Sequence, residues 1–420
     1  MSRKIISIYE HSILKVGNTY SEVKFNEKHF KKLQNYFGEK EVPYFKLINN
    51  GIKLTEYVGV IQVGNLIIEV LPKADKYESE DNFKKWREVL IGMLRAVGTF
   101  NIHAPSSSSL SIKTNFLLDL YFELFIKEIE YLFNKGLIKK YRKTEGNSLS
   151  LKGNILFGKH LQKNLIHQER FYIKQSSYDR EHLLHQIIYK TLLLLKRINT
   201  NVGLNSRIGN LLLNFPEMAD IKITEATFNK ITLNRKTEDY KNAIEIARLL
   251  LLNYHPDLSN GQNNVLALMF DMNLLWERFV YVSLRKKLGD EFNVLGQTSK
   301  YFWKPKNGNR SSIRPDIVVE KGNENYVLDT KWKNLGGKNP SLNDLRQMYV
   351  YHEYFEAQKV ALVYPGKSEL ISGSYYETNG KALSNQECSV ISIDPNFDIG
   401  VWQKNIKVEL EDWMDIDNQL

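Results

Sequence analysis

Residues 313–333, IRPDIVVEKGNENYVLDTKWK, constrain this chain more than any other stretch. Two β-branched runs, 317–320 and 326–333, flank the polar KGNEN segment and read as a strand pair joined by a short turn. Asp316, Asp329 and Lys331 lie in its middle. The strand period of two puts Asp329 and Lys331 on one face and Leu328, Thr330 and Trp332 on the other, with Asp316 at the start of the first strand, near Asp329.

Two neighbouring carboxylates repel and raise each other's proton affinity unless a cation holds them, and hard oxygen ligands suit Mg²⁺, with Mn²⁺ as a substitute. Such a cation stabilises charge developing on a scissile phosphate. A lysine two positions on can orient or deprotonate the attacking water and offset the phosphate charge. The plainer reading is a solvated hairpin face with a cross-strand ion pair, and for an isolated D-x-K it is the better one.

Support lies on both sides of the hairpin. Upstream, MNLLWERFVYVSL places Glu277 among large apolar residues, where a charge needs a partner or a metal; pairing with Arg278 or Lys286 is the alternative. Downstream, NDLRQMYVYHEYF sets Gln347 and Tyr351 four apart on one helical face, where an amide and a phenol can reach a metal-bound water and a DNA backbone. Lys304, Lys306, Arg310 and Arg314 crowd the approach to Asp316 and are placed for phosphate contacts, which position DNA without reading its sequence.

The net charge of +10 raises the expectation of a polyanionic partner, although the charge is spread along the chain. One cysteine, Cys388, excludes an internal disulfide and a multi-cysteine zinc site and points to a reducing compartment, the cytoplasm. No stretch approaches the ~18 apolar residues of a membrane span, so neither insertion nor export is expected.

The N-terminal part to about residue 75 is strand-like, clearest where Gly64-Asn65 divides TEYVGVIQVGNLIIEVLPK as a hairpin turn. A helix follows and stops at Gly98, before the Ser-rich connector HAPSSSSLS. Helical spacing dominates 115–136, 182–198 and 242–255; HPDLSNGQNN, 255–264, reads as a linker, and ALMFDMNLLWERFVYVSLRKKL as a helix. The expected chain is an α+β multidomain protein with a β-rich domain over 1–104, a helical middle region over 105–260 and a C-terminal α/β domain with a mixed central sheet over 261–420.

The order helix-Glu, strand-Pro-Asp, strand-Asp-x-Lys, helix-Gln-x-x-x-Tyr resembles the PD-(D/E)xK nuclease superfamily. The resemblance extends to the McrC family, through GVIQVGNLIIEVLPK, KGLIKKYRK, LKGNILFGKHLQKN, DMNLLWERFV and LVYP, in order over nearly the whole chain. McrC-like proteins are the endonuclease subunits of McrBC-type, 5-methylcytosine-specific restriction systems, working with a GTP-driven AAA+ ring, McrB. The resemblance implies a restriction-endonuclease-like C-terminal domain acting on double-stranded DNA. In it Asp316 and Asp329 would hold the metal, Lys331 would be the catalytic lysine, and Glu277 and Gln347 would assist. It also implies an N-terminal part that docks on the ring and stimulates its GTPase.

GNILFGKH, 153–160, fits G-x-x-x-x-G-K, but His160 stands where a P-loop needs Ser or Thr, and Ile-Leu-Phe crowds a loop that must wrap phosphates. Gly153 and Gly158 are read as turn residues, so this chain is expected to bind no nucleotide, the GTP belonging to the partner. His182 and His185, three apart in a helix, lack a third ligand and read as a surface or core pair. KKYRK, 139–143, is either a phosphate or partner contact or a solvated cluster. The competing functions are a non-catalytic DNA-binding adaptor of an AAA+ ring and a stand-alone repair nuclease.

Overall fold

The structure is a computed structural model that describes residues 4–40, 42–73, 80–97, 117–255, 265–378 and 380–415. The expected helix stop at Gly98, the Ser-rich connector and nearly all of the 255–264 linker lie outside these residues. The chain divides into two compact units, one of Met1–Phe100 with Asp257–Leu420 and the other of Asn101–Pro256. The first and third regions expected from sequence thus share one unit.

In the first unit, Lys4–Tyr9 runs parallel to Leu66–Leu71, which pairs antiparallel with Tyr57–Val63, which pairs antiparallel with Val265–Asp271. The two central strands are buried at almost every position, as a sheet covered on both faces requires. Gly64 closes their hairpin with φ +62°, and at Gly59 a Cβ would stand 2.1 Å from the Leu268 carbonyl oxygen, so only glycine lets these strands approach. Val265–Asp271 corrects the reading of this stretch as helix: the helix begins only at Met272, where the Asp271 carboxylate accepts from the Asn273 and Leu274 N–H groups. A helix over Glu27–Lys40 was also unforeseen; it starts where Asn26 caps the His29 N–H and seats Leu33 and Tyr36 in the core.

Further along the same unit lies a six-stranded mixed sheet in the order Phe292–Gly296, Ile317–Lys321, Glu324–Thr330, Ala357–Pro365, Leu383–Ile393, Glu369–Tyr376. The strands of the 317–330 hairpin pair antiparallel, Ile317 opposite Leu328, while Glu324–Thr330 and Ala357–Pro365 run parallel. Met348, Tyr351 and Phe355 of the helix Leu342–Tyr354 and its C-terminal end pack with Val318, Val327, Val360 and Leu362 on one face. The helices Met272–Lys287 and Ile399–Asp415 pack on each other, and an aromatic cluster fills the space beside them: Trp276 lies 5.4 Å from Trp402 and 5.6 Å from Trp332, and Trp86 lies 6.4 Å from Trp332. Truncating such a fully buried indole costs roughly 3–5 kcal/mol. The Trp332 indole N–H donates to Glu10, so the first sheet and the acidic hairpin share a buried polar contact.

The second unit packs the helices Leu117–Lys135, Leu183–Ile198, Val202–Asn214 and Lys241–Leu252 around one apolar core. The region expected to be helical also holds strands. Lys140–Ser148 and Phe171–Asp179 form a nine-residue antiparallel ribbon, and residues 140–143 of KKYRK lie on it. Gly158, expected in a turn, stands inside the helix Phe157–Asn164, whereas Gly153, with φ +80°, does turn the chain against Lys174. The His160 ring accepts from the Tyr172 N–H, an internal use of that side chain. No described helix is long and apolar enough to cross a membrane.

Candidate active site

Asp316 follows Pro315 one step beyond the Ile317–Leu328 pair, so the strand register sets it beside Asp329. Its Oδ2 accepts from the Thr330 N–H at 2.7 Å and the Thr330 hydroxyl at 2.8 Å, which fixes the carboxylate. Asp329, only 1% exposed, meets the Lys331 Nζ at 2.5 Å through Oδ2. Period two carries Lys331 onto the same face, and the Lys331 N–H continues the ladder to Val363.

Burial, and then the Asp316 charge, push the Asp329 carboxyl up to about 6 against the pull of Lys331. Burial alone would lower the Lys331 ammonium, but Asp329 and then Asp316 hold it above the usual lysine range. Asp329 thus shares a buried position with a second carboxylate and one ammonium.

From the facing helix, the Gln347 amide donates to Asp329 Oδ1 at 3.3 Å and to the Tyr351 hydroxyl at 2.7 Å, and Tyr351 donates to the Arg314 carbonyl at 2.9 Å. Sequence spacing put these two on one helical face; the fold sets the pair against Asp329. Glu277 is half-buried, and its carboxyl is pushed up by burial and then by Asp316, but its bonded partner is the Gln297 amide rather than Arg278 or Lys286. Lys304, Lys306, Arg310 and Arg314 are all exposed, and Arg314 lines an open cleft of about 820 Å³ together with Arg346, Gln347 and Tyr351.

Thr330, Gln297 and Arg346 were not singled out from sequence. Thr330 carried a signal, since it sits between the Asp and the Lys of the motif. Gln297 carried none, because its contact to Glu277 is made by a left-handed turn residue with φ +57° that the sequence does not mark. Among the described residues no three His, Cys, Asp or Glu side chains form a ready metal cage. The neighbouring oxygen donors that could hold a hard cation are those of Asp316 and Asp329.

A family model described as McrBC 5-methylcytosine restriction system component matches residues 52–365. The chain belongs to the McrBC family. The matched span reaches from the first sheet through both carboxylates, Lys331, Gln347 and Tyr351. A chain from a tetradecameric assembly of Thermococcus gammatolerans McrB AAA+ hexamers with bound McrC has a similar fold, with TM-score 0.73 and 22% identity over 98% of this chain and 100% of that one. A chain of the cryo-EM structure of the Thermococcus gammatolerans McrBC complex aligns with TM-score 0.52 and 21% identity over 68% of this chain and 89% of that one. A search among curated proteins gave no match.

Proposed function

We propose that this chain is the McrC-type subunit of an McrBC-like restriction system and carries its nuclease. Asp316 and Asp329 would hold Mg²⁺, or Mn²⁺ in its place, in a domain of the PD-(D/E)xK type. The cation would supply Lewis-acid stabilisation of the phosphorane-like charge in the transition state. Lys331, held protonated by Asp329, offsets the same charge and orients water. Gln347 steadies Asp329 and is itself fixed through Tyr351. Glu277, held by Gln297, adds a third carboxyl within the field of Asp316.

The observation that carries this reading is the placement of Asp329: a carboxylate 1% exposed, set by the strand register beside a second carboxylate and paired with Lys331, is a poor structural choice and a good cation site. It weighs against the adaptor reading, since a scaffold gains nothing from that repulsion.

The solved assemblies with a similar fold pair McrB AAA+ hexamers with McrC. In this reading the present chain likewise works with a GTP-hydrolysing AAA+ ring, which it stimulates, and cuts foreign or modified double-stranded DNA in the cytoplasm. The test is cleavage of methylated and unmethylated plasmid with Mg²⁺, by the chain alone and with its genomic AAA+ neighbour and GTP. Cutting that requires neighbour and GTP is the expected result. Cutting by the chain alone would turn the reading into a stand-alone nuclease, and no cutting in any mixture would leave the adaptor.

A further inference from the structure

The hairpin formed by Lys300–Trp303 and Ser311–Ile313 takes no part in the chemistry above. Residues 297–314 contain Lys300, Lys304, Lys306, Arg310 and Arg314 and no Asp or Glu. Every residue of Lys300–Trp303 is exposed, and three successive aromatics, Tyr301, Phe302 and Trp303, are 70%, 46% and 59% exposed. The strand pairing shifts register between Tyr301 and Trp303, and all three rings are left open to solvent along this irregular stretch. A two-stranded ribbon gains no core from such rings, and large exposed apolar groups gathered in one place mark a binding surface.

The ribbon is anchored at its foot. Phe302 lies 5.1 Å from the Tyr354 ring, and the Lys300 ammonium donates to the Tyr354 carbonyl at 2.8 Å and sits 4.9 Å over the Phe355 ring. These contacts are with the end of the helix that carries Gln347 and Tyr351. Phe302 and Ser312 also line the cleft occupied by those two side chains. Arg310 lies 4.8 Å over the Tyr301 ring. Among the described residues, Lys304, Lys306, Arg310, Arg314 and the neighbouring Arg346 form no ion pair.

We propose that this hairpin is a base-stacking arm that binds a nucleic-acid strand with unpaired bases at the cleft lined by Gln347, whose amide donates to Asp329. Unopposed cations neutralise phosphates, and every base offers a π-face to an exposed ring, whereas the bases of an intact duplex are already stacked. An apolar protein docking site would use the rings but has no need of five cations without a carboxylate. The arm rests on the nuclease reading only for what becomes of the strand; binding itself does not depend on it.

The test is fluorescence anisotropy of the full chain with labelled oligothymidylate and with a duplex of equal length, in EDTA so that no metal-dependent cutting intervenes. The expected result is tighter binding of the single strand. Joint replacement Tyr301→Leu and Trp303→Leu should weaken it about tenfold or more with the salt dependence kept, while Tyr301→Phe and Trp303→Phe retain it. The leucine and phenylalanine pairs share an apolar character, so the comparison separates stacking from loss of apolar surface or fold. Undiminished binding by the leucine pair, equal affinity for duplex and single strand, or no binding by the wild type would each overturn the proposal. Asp329→Ala should bind oligothymidylate like the wild type; if that variant still cut plasmid, the nuclease reading alone would fall.

Discussion

His185 in the helical unit and Asp329 in the acidic hairpin are both ionisable side chains sealed from solvent, at 0% and 1% exposure. Both ring nitrogens of His185 have a partner. The Arg180 carbonyl, which can only accept, lies 2.7 Å from Nδ1, so Nδ1 carries the proton and Nε2 accepts from the Tyr240 hydroxyl at 3.0 Å. The Tyr240 hydroxyl in turn accepts from the Ile138 N–H at 3.1 Å. Burial, and then the neighbouring His182 ring, push the His185 imidazole down to about 3, so it stays neutral. Asp329 is treated in the opposite way: burial holds it beside a like charge, that of Asp316. A fully satisfied buried group rigidifies a core, whereas a buried group kept in electrostatic conflict is material for a site.

The sharpest way to break this contrast is at Asp329. Asp329→Ala, or Lys331→Ala, is expected to lower plasmid cleavage on the order of a thousandfold or more while circular dichroism and ring binding stay unchanged. Cleavage within tenfold of wild type would mean that the conflict at Asp329 is structural after all.

For the satisfied group the expected effect falls on stability. His185→Ala strands the Tyr240 hydroxyl and the Arg180 carbonyl and opens a cavity, a loss of about 3 kcal/mol in chemical unfolding, with cleavage per folded molecule unaffected. The sign of its pH dependence follows from its depressed value: between 6.5 and about 3 the unfolded chain binds a proton that folded His185 refuses, so this residue makes stability fall as pH drops through that window. The variant should lose that part of the acid sensitivity.

Glu10 sharpens the comparison from the other side. Buried at 5% exposure, it accepts from the Lys73 N–H and the Trp332 indole through Oε1, and burial pushes its carboxyl up to about 7. The folded chain therefore holds a proton there that the unfolded chain gives up, and stability falls as pH rises from 4.5 to about 7. Glu10→Gln keeps the Oε1 acceptor and removes the charge. It should leave stability nearly unchanged at pH 5 and raise it on the order of 2 kcal/mol at pH 8, as read from urea midpoints at the two pH values. An equal effect at both would show that Glu10 is charged throughout.

Local periodicity determined much of what was legible. Alternation in 326–333 placed Asp329 and Lys331 on one face, four-residue spacing placed Gln347 and Tyr351 together, and Gly64-Asn65 marked a hairpin, because each depends only on neighbours in the chain. Apolar runs were less decisive. Residues 265–271 continue into a helix with no change in hydrophobicity, and only the Asp271 cap and the vacant edge of the Tyr57–Val63 strand make them a strand. The ribbon in the middle region is written in polar residues whose half-exposure suits a strand but shows no apolar alternation.

Tertiary structure alone decided which of the legible groups conflict and which are satisfied. Glu10 reaches Trp332 across 322 positions, His185 meets Tyr240 across 55, and Glu277 takes Gln297 from a turn between strands. None of these contacts is implied by spacing, and the burial that shifts Glu10, His185 and Glu277 belongs to the packed chain and not to any segment of it.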